Sequence, residues 1–218
     1  ARGVHSFVLS DINNTSGWFE ILADAKKFNI DVKCGIEFKN GNTTLFIGIA
    51  KNVHGFAEMN RYLSGFLKLK LPIPPLAPEF EHVYIIYPYQ SGIIFNLRDN
   101  EYVGIRKKDL SRFRYEKQHL PKEKLVALNT VTFAAKKDFN AHRILRAIDG
   151  NTIITKLTPD DIDDPQHQFE TYDQLIADFR DEKYLLEQVA ILSLSINFQT
   201  LYSRDLIKMK LQYLNSSS

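Results

Sequence analysis

Residues able to bind a metal, move a proton or hold a phosphate are thinly spread along this 218-residue chain. Its six histidines, His5, His54, His82, His119, His142 and His167, show neither the His-x-His nor the His-x3-His spacing that turns two imidazoles toward one ion. Glu37, in Gly-Ile-Glu-Phe, ends an apolar stretch; a carboxylate there can hold a cation, but accepting backbone or Arg hydrogen bonds is the preferred reading. Asp11 opens a turn, Asp11-Ile-Asn-Asn-Thr-Ser, and capping the following helix is sufficient reason for it. The segment Asp160-Asp161-Ile162-Asp163-Asp164 contains Asp-x-Asp, an arrangement that holds paired magnesium ions for nucleotidyl transfer; flanked by Pro159 and Pro165, it reads better as an acidic linker. The densest positive cluster is Arg106-Lys107-Lys108 with Arg112, Arg114 and Lys117. It suits a polyanion such as a DNA backbone, in salt-dependent contact, or an acidic partner, although the interspersed Asp109 and Glu116 favour a solvated helix face.

The bulk numbers narrow the setting. With 44% hydrophobic residues the chain can bury one sizeable core, and a net charge of +2 exerts no chain-wide pull on nucleic acid. Cys34 is the one cysteine, so an intramolecular disulfide is excluded and a small buried hydrophobe in a reducing cytoplasm is expected. No run of 18 apolar residues exists, and the first residues lack a signal-peptide layout, so no membrane or export route is expected.

The elements that must position these groups follow an α/β order. Residues 4–9 read as a strand and 18–28 as a helix. Residues 31–38 and 44–50 form two strands joined at Asn40-Gly41-Asn42, the strongest hairpin signal in the chain. An apolar stripe of Phe56, Met59, Tyr62, Leu63, Phe66 and Leu67 marks a helix that ends before the four prolines of residues 72–78. Strands are expected at 82–87, 92–96 and 102–105, a short helix at 107–113, and a strand with its exit loop at 124–133. A helix over 138–149 carries Ile144, Leu145 and Ile148 on one face. The chain turns acidic after Pro159 and helical from 172, with 184–196 a core helix, which puts a boundary near 165.

Six collinear stretches carry a resemblance. They are Phe7-Val-Leu-Ser-Asp-Ile-Asn-Asn, Ala23-Asp-Ala-Lys-Lys-Phe-Asn-Ile, Gly35-Ile-Glu-Phe, Ala50-Lys-Asn-Val-His-Gly-Phe, Leu125-Val-Ala-Leu-Asn-Thr-Val-Thr-Phe and Ala141-His-Arg-Ile-Leu-Arg-Ala-Ile. In order and spacing, across about residues 1 to 150, the chain resembles the PHP (polymerase and histidinol phosphatase) domain that opens bacterial DNA polymerase III alpha subunits. The resemblance implies a distorted βα barrel over residues 1–165, lacking its first strand, and a helical extension over 166–218 leading toward the polymerase body. It also implies a metal cluster at the carboxyl ends of the strands in active members.

The departures from that pattern carry the functional reading. The His-x-His strand is missing, because the chain opens at what resembles the end of the first helix. The expected Asp-His reads Asp11-Ile12, the expected Asp-x-His reads Thr130-Val131-Thr132, no cysteine stands near Pro88-Tyr89, and Glu37 alone matches cleanly. A divalent cation needs four to six donors at about 2.0 to 2.5 Å. The resemblance therefore implies a metal-free scaffold without catalytic residues, in which Asp11, Ile12, Glu37, Thr130 and Thr132 are vestigial positions. DNA synthesis would run elsewhere in the full subunit, with magnesium in its palm. The partners implied are the remaining alpha-subunit domains, a proofreading exonuclease and DNA, in the cytoplasm. Arg106, Lys107, Lys108, Arg112 and Arg114 are the candidate polyanion or partner contacts. The alternative is a phosphoesterase or 3′-5′ proofreading exonuclease of the same superfamily, holding zinc or manganese. A third is a free-standing interaction module unrelated to replication, which a coding length near 220 codons would favour and one on the order of a thousand would exclude.

Overall fold

The computed structural model describes residues 5–90, 96–116, 120–159 and 161–196. It is an α/β structure built on one mixed, curled six-stranded sheet that forms a half-barrel. The strands are β1 (Ser6–Ile12), β2 (Asp31–Asn40), β3 (Thr43–Ala50), β4 (Val83–Pro88), β5 (Glu101–Ile105) and β6 (Leu125–Ala127), and they lie in the sheet in chain order. β1 pairs parallel with β2, β3 is antiparallel to both of its neighbours, and β4, β5 and β6 are mutually parallel. Every strand except β3 therefore points the same way, and five carboxyl ends share one rim.

Local chemistry explains the elements. Asn40 pairs with Thr43, so β2 and β3 turn around Gly41-Asn42, where Gly41 takes the left-handed φ of 54° that a side chain would resist. Helix α1 (Trp18–Lys27) buries Trp18, Leu22 and Ala25 on one stripe. Helix α2 (Val53–Leu69) starts at Asn52, whose side chain accepts from the backbone N–H groups of His54 and Gly55. It ends at Lys70 in the left-handed region, with the Leu71 N–H returning to the Phe66 carbonyl before the prolines begin.

Both faces of the sheet are covered. β2 is buried from Val32 to Ile36 without alternation, as in a strand packed on two sides. Cys34, Ile36 and Phe38 join Phe46, Met59 and Trp18 in the main core on the α1 and α2 side. On the opposite face lies α6 (Lys183–Ser195): the Lys33 ammonium donates to the Ile196 carbonyl at 3.3 Å, and Tyr84 Oη lies 2.7 Å from Ser195 Oγ. A second cluster gathers Tyr89, Val103, Ile105, Leu125 and the Leu110 and Phe113 side chains of α3 (Leu110–Glu116) against Phe179 and Leu185. The C-terminal helices, α5 (Tyr172–Asp178) and α6, follow the acidic turn, and α6 packs directly on the sheet.

Three stretches bear on the sequence reading. The strand with its exit loop expected at 124–133 resolves into β6, Leu125–Ala127, and a loop that leaves the sheet beyond Ala127 and bridges in parallel from Phe133 to Gln168. Helix α4 (Lys136–Asp149) turns its Ile144, Leu145 and Ile148 face to solvent. It is oriented instead through Phe133, whose ring meets Phe139 and His142 edge-on. Apart from Asn96, the expected strand at 92–96 lies outside the described residues, as do Lys117, His119, Asp160 and residues 197–218.

Candidate functional site

The rim formed by the five parallel carboxyl ends is where the positions singled out by the resemblance fall. β1 delivers Asp11 and Ile12 there, and β2 delivers Glu37. Lys107 and Lys108 follow β5, and Thr130 and Thr132 follow β6. Parallel register decides which side chains converge. Ile12 pairs with Glu37, so those two point to one face, while Asp11 pairs with Ile36 and points to the other. The two carboxylates on these neighbouring strands are therefore on opposite sides of the sheet.

Each is also accounted for. Glu37 is largely buried and accepts a short hydrogen bond from the Thr44 hydroxyl, with the Lys39 ammonium 3.5 Å away. Asn13 braces the same corner, its side chain exchanging hydrogen bonds with the backbone of Lys39. Asp11 does not cap α1, as the sequence suggested. The helix starts after Gly17, and the bare Gly17 backbone makes room for the Asp11 carboxylate, which lies 3.2 Å from where a Cβ would stand. Ile12 is half exposed and offers no donor atom.

The end of β4 holds Tyr89 near the position where the resemblance expects a cysteine ligand. Its hydroxyl donates to Glu116 at 2.5 Å, and burial together with that carboxylate pushes the phenol up to about 12. Thr132 donates a short hydrogen bond to Asp163, which also lies 2.8 Å from His167 Nδ1. The Asp163 N–H donates in turn to His142 Nε2 at 3.1 Å, so His142 accepts there. Burial opposes the Asp163 charge, but the hydrogen bonds from His167 and Thr132 outweigh it and hold the carboxyl well below its usual range. The Asp-x-Asp does not present two carboxylates to a shared point, because Asp161 instead accepts from the Thr158 N–H and hydroxyl, both at 2.8 Å.

The donors present do not fit the metal cluster that the resemblance implies. Of the positions that the resemblance singles out, only Asp11 and Glu37 carry strong ligands. They face apart, and Glu37 is already hydrogen-bonded.

The basic cluster is not a bare patch. Lys107 pairs with Asp178 at 2.6 Å and Glu170 at 3.5 Å, and Lys108 with Asp164 at 2.9 Å. Arg114 pairs with Glu182 at 2.9 Å and Asp181 at 3.1 Å. Arg112 is exposed, and Arg106 keeps a buried Nε without a hydrogen-bond partner among the described residues. The sequence separated this cluster from its acidic partners by 56 to 71 residues, and only the turn at 161–171 brings them together.

Sequence reasoning missed one constellation at the opposite rim, where β3 ends and β4 begins. His82 and Glu81 stand just before β4, with Glu58 on the first half of α2. One ligand atom of each lies within 4.8 Å of the other two. The His54 ring sits 5.4 Å from that of His82. A local signal existed, since His54 and Glu58 are four apart and so share a helix face. Their proximity to His82 depends on the β3 to β4 pairing. Compared with known proteins, the chain matches no family model and no curated protein.

Proposed function

We propose that this chain is a noncatalytic PHP-type domain from a bacterial replicative DNA polymerase III alpha subunit, a scaffold on which the polymerase body rests. The six collinear motifs suggest the family. The observation that carries the noncatalytic role is the rim itself: Ile12 and Thr132 occupy ligand positions, Asp11 and Glu37 face apart, and Glu37 is held by Thr44 and Lys39. Phosphodiester hydrolysis by this superfamily's chemistry needs a metal to activate water and polarise the phosphoryl oxygen, which in turn needs several donors converging on one point. In this reading the domain's work is done by packing, with the remaining alpha-subunit domains and a proofreading exonuclease as partners in the cytoplasm.

The test is turnover. The purified protein, supplied with manganese or zinc, is expected to hydrolyse neither bis-p-nitrophenyl phosphate nor a 3′-labelled oligonucleotide above the no-protein rate. Turnover abolished by Glu37→Gln would overturn the scaffold reading and establish the phosphoesterase or 3′-5′ exonuclease alternative. A coding sequence near 220 codons, rather than on the order of a thousand, would remove the polymerase assignment.

A further inference from the structure

We propose that Glu58, Glu81 and His82, with His54 as fourth ligand, form a zinc site at the rim opposite the five parallel carboxyl ends, clipping the start of α2 to the entry of β4. The inference goes beyond the scaffold reading and does not rest on it, since none of these residues belongs to the positions discussed for hydrolysis.

The chemistry of the set is the first argument. Two carboxylates and two imidazoles are nitrogen and oxygen donors that a borderline divalent ion accepts in a four-coordinate site. A tetrahedral ion with bonds of about 2.1 Å spaces its ligand atoms about 3.4 Å apart. Here the ligand atoms of Glu58, Glu81 and His82 already lie within 4.8 Å of one another, and His82 Nε2 is 3.9 Å from Glu81 Oε1. Closing these three takes side-chain rotation of about 1 Å, and His54, whose ring lies 5.4 Å from that of His82, turns in as the fourth ligand.

The second argument is preorganisation. The His82 N–H donates to Glu58 Oε2 at 3.1 Å, so the backbone of one ligand already aims the carboxylate of another. The Lys51 N–H donates to the His82 carbonyl at 2.8 Å, and Gly55 approaches that carbonyl so closely that a Cβ would stand 2.0 Å from it. The start of α2 and the entry to β4 are thus locked together around the cluster. Charge is the third argument. Among the described residues neither Glu58 nor Glu81 has a Lys or Arg ion pair, although two carboxylates lie side by side. The nearby Lys51 ammonium goes instead to the Glu81 carbonyl at 3.1 Å and the Tyr84 ring.

One contact changes on binding. Asn52 uses Oδ1 to cap α2, so its Nδ2 faces His82 Nδ1 at 3.4 Å. Metal on Nε2 puts the imidazole proton on Nδ1, and that weak contact is given up. Asn52→Asp keeps the helix cap and supplies a carboxylate to accept the Nδ1 proton, the supporting partner that zinc-bound histidines commonly have.

The experiment is titration of the EDTA-stripped, untagged chain with zinc chloride by calorimetry, and with cobalt chloride by visible absorption. One ion per chain with a Kd of about 1 μM or tighter is expected. His82→Ala and Glu58→Gln should each weaken zinc by at least about tenfold and abolish the tetrahedral cobalt band, while Asn52→Asp should tighten it by about tenfold. In the Glu58→Gln variant the amide oxygen still accepts from the His82 N–H, so the fold is kept. Binding no tighter than about 100 μM would overturn the proposal. So would zinc affinity untouched by His82→Ala, or lost instead with His167→Ala. None of these outcomes bears on hydrolysis, which is read separately.

Discussion

Arg98 holds the buried Glu101 carboxylate, and Arg98→Ala should destabilise the protein by about 3 kcal/mol. Glu101 is 3% exposed and accepts from Arg98 Nε at 2.9 Å, from the Arg98 N–H at 2.8 Å and from the Tyr87 hydroxyl at 3.0 Å. Burial alone would push its carboxyl up, but these hydrogen bonds outweigh burial and hold it below its ordinary value. Arg98 also donates to the Ala77 carbonyl at 2.6 Å, and the Ala77 N–H donates to Tyr87 at 3.1 Å, so one network ties the proline segment to β4 and β5. Removing one partner of a buried pair costs about 3 to 5 kcal/mol, because a charge is stranded. The low end applies here, since the Arg98 side chain is about one-third exposed and water can reach the gap. Urea unfolding followed by Trp18 fluorescence measures the change, because the only tryptophan is 1% exposed.

The sign with pH is fixed by the same argument. In the wild-type protein the depressed carboxyl contributes stability above its ordinary value of 4.5, and that contribution is lost as pH falls through the folded-state value. In Arg98→Ala, burial meets less opposition and favours the neutral acid, so the gap between the two proteins should narrow below about pH 5. Adding Glu101→Gln to Arg98→Ala should recover about 1 kcal/mol, because the stranded charge is gone. A cost below about 0.5 kcal/mol, or a double mutant no more stable than Arg98→Ala, would refute the buried-charge reasoning.

Three further outcomes are expected. Gly55→Ala should cost at least about 3 kcal/mol by thermal unfolding despite alanine's better helix propensity, because its Cβ meets backbone at 2.0 Å; a neutral result would contradict the close approach. Cys34 is fully buried, and burial raises its thiol far above the usual range, so Ellman's reagent should react with it only as fast as the protein unfolds, whereas prompt reaction in native buffer would place it at the surface. Asp163, held low by His167 and Thr132, should contribute stability above its ordinary 3.8 that disappears as pH falls below that value. Asp163→Asn should therefore flatten the acid limb of the stability profile, and an unchanged limb would refute the role.

What the sequence revealed depended on how local the cause was. The β2 to β3 turn is written in Asn40-Gly41-Asn42, and α2 is bounded by Asn52 on one side and the prolines on the other, so both were legible. The strand after residue 124 and its exit loop were both legible, but the point at which one gives way to the other, Ala127, is set by the pairing with β5, which local sequence does not show. Helix α4 shows the same limit: its periodicity marks an apolar stripe but cannot say that Phe133 and Asp163 hold the helix by another face. That Ile12 and Thr132 offer no strong ligand where the resemblance would place histidines is read directly from the sequence. The opposed facing of Asp11 and Glu37 was not legible, since only the β1 to β2 register decides it. The pairing of His54 with His82 escaped for a related reason, being separated by a helix and an extended segment.

The same long-range pairing changes what the basic cluster is able to do. Lys107, Lys108 and Arg114 are not waiting for an anion: Glu170, Asp178, Asp164, Asp181 and Glu182 already surround them. Exposed ion pairs such as those of Lys107 and Lys108 are individually weak, worth at most about 1 kcal/mol, but together with the pair Arg114 makes to the buried Glu182 they hold the turn at 161–171 and the segment leading into α6 against α3. Phe179 and Leu185 then fill the second core cluster from that side. A polyanion at Lys107 and Lys108 would therefore compete with the protein's own acidic segment, exchanging one set of carboxylates for phosphates and loosening the helix that Lys33 holds against the sheet. Docking of the C-terminal helices and polyanion binding at this cluster are thus mutually opposed, and the apolar burial of Phe179 and Leu185 weights the balance toward docking.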